Sequence, residues 1–365
     1  MNILYLITGL GGGGAEKVLT DLADQMVLKG HQVKIAYLKG EVVVRPRTAS
    51  IELIYLGLER PIHVFAAYRK YRELILSFKP DVVHTHMIHA NIFTRISRLF
   101  CPIPKLISSA HSNNEGGWLR MIAYRLTHHL ADQTTNVSKN ASLNFEVKKA
   151  VPLGGILTVY NGIDLDKFNK KHIDSPIRSQ LDILEKTPVF IAVGRFHESK
   201  DYPNLLKAFS ILKSSKHFNL MKPKLLIVGD GELRTEIEQI IKSLDLSSQV
   251  FLLGRRDDIP QLLNAANYFV LSSKYEGLPT VIIEAMACHK FVIATDCGGS
   301  AELLNETGML IPVEDSSALA LAMEKVLGFD DNFIKNNGLE ARGRVEKLFS
   351  LESITEEWLK IYVAQ

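Results

Sequence analysis

Glu276 and Glu284 stand eight positions apart in the run Tyr275-Glu276-Gly277-Leu278-Pro279-Thr280-Val281-Ile282-Ile283-Glu284-Ala285-Met286-Ala287. An apolar stretch, Tyr268 to Ser273, leads in, and an apolar helix-like run follows. Pro279 is predicted at the first helical position, where its fixed φ fits and its missing N–H is not needed. Glu276 then falls in the loop at the helix mouth, and Glu284 lies four residues after Thr280 on the same helical face. The N–H groups of Thr280 and Val281 would point at whatever fills that mouth, and they favour an anion. An anion cradle flanked by two acids, one for sugar hydroxyls and one for a ribose, has the chemistry of a sugar-nucleotide site. The plainer alternative is a pair of acids that merely favour the helix dipole.

Cations that suit such an anion come earlier. Arg195 and Lys200 follow the apolar run Val189–Val193, at the carboxyl end of an expected strand, where open α/β sheets bind ligands. An arginine fork and a lysine point charge can hold a diphosphate and stabilise the charge it gains on leaving. The alternative is a solvated basic loop. Gly9-Leu10-Gly11-Gly12-Gly13-Gly14 follows the first expected strand and opens a helix. It contains Gly-x-Gly-x-x-Gly with Glu41 beyond the second strand, but four consecutive glycines satisfy almost any glycine pattern. What survives is backbone that a ligand can approach closely, or a merely flexible turn. Gly229-Asp230-Gly231-Glu232-Leu233 ends another strand and is read as shaping a nucleotide pocket. Gly254-Arg255-Arg256-Asp257-Asp258 ends the next; its alternative is a charged solvent turn. His111 ends a strand in the first half. His84, His86 and His89 look like metal ligands, but no Asp, Glu or Cys accompanies them at metal spacing, so they are read as structural.

The elements that position these residues alternate. Apolar runs recur at Ile3–Thr8, Val33–Leu38, Ile51–Leu56, Val82–His86, Leu106–Ala110 and Thr134–Val137, then at Val189–Val193, Lys224–Val228, Val250–Leu253, Tyr268–Leu271 and Phe291–Ala294. Amphipathic stretches lie between them, the pattern of parallel sheets covered on both faces. An Asn-Gly turn is expected at Asn161–Gly162, following a strand, and a polar linker around residues 162–187. This gives two doubly wound Rossmann-like domains, 1–164 and 165–348, with residues 349–365 forming a last helix from Leu351 to Val363.

The 365 residues suit two domains. Cys101, Cys288 and Cys297 have neither an even count nor metal-like spacing, which argues for a reducing compartment. Met1 leads straight into a strand without the features of a signal peptide, and no run approaches the length of a membrane span. A cytoplasmic or peripheral protein is expected. The net charge of +3 hides an asymmetry: residues 1–160 hold 19 Lys and Arg against 11 Asp and Glu, or +8, and the remainder holds 24 against 29, or −5. A basic first half can face acidic phospholipid or a pyrophosphate-bearing molecule. Tyr68–Leu74 and Trp118–Leu126 mix aromatic and basic residues at helical spacing, as a face lying on an anionic bilayer would, or as an ordinary solvated helix would.

The Glu276/Glu284 segment resembles the E-(seven residues)-E signature of the retaining family 4 glycosyltransferases of GT-B fold. The glycine loop, Val82–His86, Ala110-His111-Ser112, Val159–Asp164, Val193-Gly194-Arg195 with Lys200, Gly229–Leu233 and Ala294–Gly299 extend the likeness over nearly the whole chain. The resemblance implies two Rossmann-like domains facing a central cleft, with the C-terminal helices crossing back onto the first. It implies transfer of a hexose or N-acetylhexosamine from a nucleotide sugar, UDP-linked rather than GDP-linked, with no metal or other cofactor. The acceptor would be a saccharide, lipid-linked at the inner face of the cytoplasmic membrane, in lipopolysaccharide O-antigen, capsule or exopolysaccharide assembly. Nucleic acid is not an expected partner.

By the same likeness Gly13 and Gly14 close over the donor phosphates, and Arg195 and Lys200 take the place of a metal. His111 attends the reacting sugar from the opposite side of the cleft, and Asn113, Asn114 and Glu115 contact acceptor or donor. Arg255 stacks on or caps the nucleobase, with Gly229 and Leu278 in the same donor-binding set. Glu276 orients the transferred sugar, Glu284 holds the ribose, and Thr280 and Val281 supply amides. Three rivals remain at this point: a sugar-nucleotide 2-epimerase of the same fold, an NAD-dependent Rossmann oxidoreductase resting on the glycine loop, and a silent lectin-like protein.

Overall fold

Runs rich in Val, Ile and Leu between amphipathic segments become strands buried on both faces, because a branched side chain packs well on a pleated surface covered by helices. The computed structural model describes residues 1–112, 115–170 and 176–364. The chain divides into two compact units, Met1–Asp164 with Leu348–Gln365, and Leu165–Lys347.

The first unit is built on strands β1 (Asn2–Ile7), β2 (Gln32–Tyr37), β3 (Glu52–Tyr55), β4 (Val82–His86), β5 (Leu106–Ala110), β6 (Gln133–Asn136) and β7 (Leu157–Thr158). They lie in the order β3-β2-β1-β4-β5-β6-β7, all parallel. The second unit has β8 (Val189–Val193), β9 (Lys224–Val228), β10 (Val250–Leu252), β11 (Tyr268–Leu271), β12 (Phe291–Thr295) and β13 (Gly308–Ile311), in the order β10-β9-β8-β11-β12-β13 and again all parallel. Both orders reverse direction once, between β1 and β4 and between β8 and β11. At such a switch point the loops leaving the carboxyl ends diverge and leave a crevice for a ligand.

The strand expected before Asn161 is β7, β13 escapes the sequence reading, and several others differ by a residue at one end or both. The Asn161–Gly162 turn does not form. The chain runs on extended to Ile163, which bridges Ser350 through Ile163 N to Phe349 O and Leu351 N to Ile163 O, both 2.9 Å. Gly162 is needed there for closeness: a Cβ would stand 2.8 Å from Leu351 Cα. The expected linker also carries structure. A short helix, Ile177–Gln180, belongs to the second unit. Ile177 and Ile183 are buried, and the Arg178 guanidinium donates to the carbonyls of Ala265, Leu184, Glu185 and Thr187 and to Asn267 Oδ1. A polar composition concealed one arginine acting as a multipoint rivet.

The second unit's core is apolar through its sheet, with Phe190, Phe209, Leu225, Ile227, Val270 and Ile293 fully buried. Each such side chain contributes roughly 1.5–3 kcal/mol relative to exposure. The last helix, Leu351–Val363, packs into the first unit's core through Ile354, Trp358 and Tyr362. Among the described residues no helix is long and apolar enough to cross a membrane.

Candidate active site

In the second unit the switch-point crevice is formed by the loops leaving β8 and β11. Lys200 Nζ lies 2.5 Å from Glu276 Oε1, and both side chains are mostly buried, 19% and 14% exposed. Ser273 Oγ donates to the same oxygen at 2.7 Å. The two loops are tied together by Ser272 Oγ to Lys200 O (2.8 Å) and Lys274 N to Ser199 O (2.8 Å). The ion pair is therefore held from both sides by backbone, and Glu276 keeps Oε2 for another partner.

Pro279 is the residue before the helix Thr280–Ala287 and not its first turn; its ψ of 92 is extended, and no side chain caps the helix. A proline there cannot bond the first amides, so the N–H groups of Thr280 and Val281 stay open for an anion. Both residues are partly exposed, as is Glu284 one turn on, while Leu278 is buried beneath the mouth. The loop bearing Glu276 is pressed from behind by Gly298 and Gly299. Gly298 has φ +54, and a Cβ on it would come 2.2 Å from Glu276 O; Gly299 N bonds Gly277 O at 2.9 Å.

Gly229 plays a similar part at the end of β9. Its φ is +143, and a Cβ would collide with Gly194 O at 1.9 Å. Glycine here lets the loop after β9 lie against the loop after β8, and Tyr202 OH fixes Gly194 O from the other side at 2.9 Å. Arg195 extends from this loop exposed, and its guanidinium has no hydrogen bond or ion pair among the described residues. Arg255, after β10, is likewise exposed, whereas its neighbour Arg256 is taken by Asp258 at 2.7 Å.

At the carboxyl edge of the first unit's sheet, Gly13 caps the helix Gly14–Leu28 with no side-chain hydrogen bond, and Gly12 has φ +101. Gly11 to Gly14 are all exposed. His111 follows β5, and its Nε2 lies 2.9 Å from His86 Nδ1. Burial pushes the His111 imidazolium down to about 4, and burial with the neighbouring His84 and His111 holds His86 well below its usual range. Both rings are thus neutral at pH 7. His84 is bonded by Tyr362 OH and Ser109 Oγ, each at 2.7 Å.

Glu115 corrects its expected role in substrate contact. Its carboxylate turns inward, taking the backbone N–H of His111 at 2.7 Å and of Ile88 at 2.9 Å, and so ties the loops after β5 and β4 together. Burial raises its carboxyl pKa. Asn113 and Asn114 lie outside the described residues. Among the described residues no three His, Cys, Asp or Glu side chains group as metal ligands. Sequence reasoning passed over Ser272, Ser273 and Thr295, whose Oγ1 donates to Ser273 O at 2.6 Å. A Ser-Ser pair directly after a strand was the available signal.

Two open parallel sheets of this order, one bearing a mostly buried Lys–Glu pair beside an uncapped helix mouth, define a Rossmann-like α/β class. Comparison with known proteins gives the family. Residues 12–167 match Glycosyltransferase Family 4, and residues 174–339 match Glycosyl transferases group 1. An uncharacterised glycosyltransferase of Methanocaldococcus jannaschii is 30% identical over 73% of this chain and 68% of its own. The GalNAc-alpha-(1->4)-GalNAc-alpha-(1->3)-diNAcBac-PP-undecaprenol alpha-1,4-N-acetyl-D-galactosaminyltransferase of Campylobacter jejuni is 29% identical over 99% of this chain and 98% of its own. HepE of Anabaena, crystallised with UDP and glucose, superposes with a TM-score of 0.86 at 21% identity, covering all of both chains. The chain belongs to the family 4 glycosyltransferases of GT-B fold, and the oxidoreductase reading of its glycine loop is set aside.

Proposed function

We infer that the protein is a retaining, metal-independent glycosyltransferase that moves a hexose or N-acetylhexosamine from a UDP-sugar to a lipid-linked saccharide. The observation that carries this reading is the Lys200–Glu276 pair at the β8/β11 switch point, beside the open amides of Thr280 and Val281. A diphosphate placed there meets Lys200, Arg195 and two N–H donors, and these fixed positive groups stabilise the charge that develops as the sugar departs. When phosphate takes Lys200, Glu276 is released to bind hydroxyls of the sugar, with Ser273 still orienting it. The departing β-phosphate oxygen takes the proton of the attacking acceptor hydroxyl on the same face of the sugar, so configuration is kept. Glu284 is assigned to the ribose, Arg255 to the base, Gly13 and Gly14 to close backbone approach, and His111 to a substrate oxygen.

The choice of uridine leans on HepE, which was crystallised with UDP, and that of a lipid-linked acceptor on the undecaprenol-linked substrate in the Campylobacter enzyme's name. A feature of the first unit supports the second choice. A cavity of about 390 Å³ at the carboxyl edge of β2 is lined by Leu38, Leu58, Pro61 and Val64 together with Lys39, Arg60, Glu59 and His89. Apolar walls with two cations against one carboxylate suit a phosphorylated lipid. The helix Trp118–Thr127 exposes Trp118, Leu119, Ile122 and Leu126 beside Arg120 and Arg125, a face suited to peripheral contact with an anionic membrane.

The test is a panel of UDP- and GDP-sugars scored by binding and by slow donor hydrolysis, with and without EDTA. One UDP-sugar is expected to bind, and to be hydrolysed at the same rate in chelator with the anomeric configuration retained. Activity only with GDP-sugars, an inverted product, or loss of turnover in EDTA would each remove the corresponding part of the reading.

A further inference from the structure

His86 sits at the carboxyl end of β4, opposite Ser109 of β5, and His111 lies two residues beyond that partner. The strand register thus delivers two imidazoles side by side, their centroids 5.2 Å apart and their planes 31° apart. Glu115 holds the backbone of both loops, so the spacing is built in. Two neutral rings that share one hydrogen bond share one proton there: one nitrogen donates and the other accepts.

The rest of His86 decides which. Its Nε2 is buried and has no hydrogen-bond partner among the described residues. If His86 carried its proton on Nε2, an N–H donor would be buried with nothing to receive it. Orphaned buried N–H groups are rarer in folded proteins than under-satisfied acceptors. If the proton is on Nδ1, that nitrogen donates to His111 Nε2 and only a bare acceptor is left unpaired. His111 then accepts at Nε2 and must carry its own proton on Nδ1. His111 is partly exposed, and among the described residues Nδ1 is its one ring nitrogen without a partner.

We propose that His86 is a positioning residue that fixes His111 as its Nδ1–H tautomer, so that His111 offers a hydrogen-bond donor to a substrate oxygen. The proposal rests on the assignment of His111 to substrate made above. It names the kind of atom His111 meets, a sugar hydroxyl lone pair or a phosphate oxygen. It also removes His111 Nδ1 as a base for the acceptor hydroxyl, since that nitrogen already holds its proton.

The test reads the tautomer directly, by long-range proton–nitrogen correlation NMR of the ¹⁵N-labelled full chain, without substrate. Wild type is expected to show a protonated Nδ1 and a bare Nε2 on His111. His86→Phe should shift the ring toward the Nε2–H form and lower kcat about tenfold, the effect of one hydrogen bond, with KM for the donor little changed. His86→Asn, whose amide can still donate, should restore part of both. An Nε2–H signal in wild type, an unchanged tautomer in His86→Phe, or a changed tautomer with unchanged kcat would overturn the proposal. The wild-type spectrum stands even if the Phe variant does not fold. A protein that transfers no sugar at all would appear as absent wild-type turnover, separate from the tautomer readout.

Discussion

The two sheets share a strand order but not a way of using polarity. In the second unit β8, β9, β11 and β12 are apolar except for Lys224 at the start of β9 and Thr295 at the end of β12, and the charged groups of the site stand beyond their carboxyl ends. In the first, β4, β5 and β6 bury His84, Thr85, His86, Ser108, Ser109, Thr134, Thr135 and Asn136 in the sheet itself. They bond one another: His84 to Ser109, Ser109 to Thr135 at 2.6 Å, Thr85 to Asn91 at 2.6 Å. Buried Arg95 joins Ser108 and Thr134 and lies 4.9 Å from the Tyr124 ring centroid. In the second unit, then, site and core are separable. In the first they are one hydrogen-bonded fabric, where an unpaired group costs about 1–3 kcal/mol.

The strongest challenge to that contrast is Lys200→Met with Glu276→Gln. Turnover should fall at least about 10³-fold, the scale of removing fixed donors from a developing charge. Because the pair is replaced by neutral groups, the melting temperature should stay near wild type. Either single change should melt earlier than the double, since it strands one mostly buried charge. Calorimetry beside a donor-hydrolysis assay decides this. A double variant that melts far below wild type would show that the second unit also couples site to core.

A smaller effect sharpens the other half. His84, His86 and His111 have depressed folded pKa values, so between pH 6.5 and about 4 the unfolded chain binds more protons. Their contribution to stability is complete above 6.5 and is lost as pH falls through that window; His111 alone accounts for about 3 kcal/mol of it, and His84 and His86 act in the same direction. The raised carboxyl of Glu115 acts oppositely and returns part of it at the acid end. Both tryptophans, Trp118 and Trp358, belong to the first unit. Tryptophan fluorescence melts should therefore move with acid more than circular-dichroism melts of the whole chain. Coincident shifts would count against the contrast.

Smallest is Tyr362→Phe, which removes the hydrogen bond to His84 and the one to Tyr5 OH at 3.1 Å. About 1–2 kcal/mol of stability should go, read from the urea midpoint of the tryptophan signal. An unchanged midpoint would mean that the fabric tolerates loss of a member.

What the sequence could reveal cuts across this contrast. β4, β5, β8, β9 and β11 are legible to the residue because each carries an apolar stretch bounded by turn signals, whichever unit it belongs to. β13 begins at Gly308, where a Cβ would meet Val292 O at 2.6 Å, so it offers no pattern to detect. Residue types at the candidate site were legible from Glu276, Lys200 and the helix mouth. Their pairing was not, because the Lys200–Glu276 contact spans 76 positions and depends on the strand order. Glu115 was misread because an exposed-looking acid in a loop gives no sign that two backbone amides from different strands will claim it.

The last helix has a consequence for the order of events during synthesis. Tyr5 in the opening strand meets Tyr362 near the final residue, and Trp358 lies 4.4 Å from His84 by ring centroids. The first unit is thus sewn shut by a segment made after the whole of the second unit, which lies within one continuous stretch. On a ribosome the inner unit can mature early, while the amino-terminal sheet waits with an open seam for about two hundred residues of elongation. A nonsense codon before Leu351 would therefore spare the later-made sheet and leave the earlier-made one unfinished.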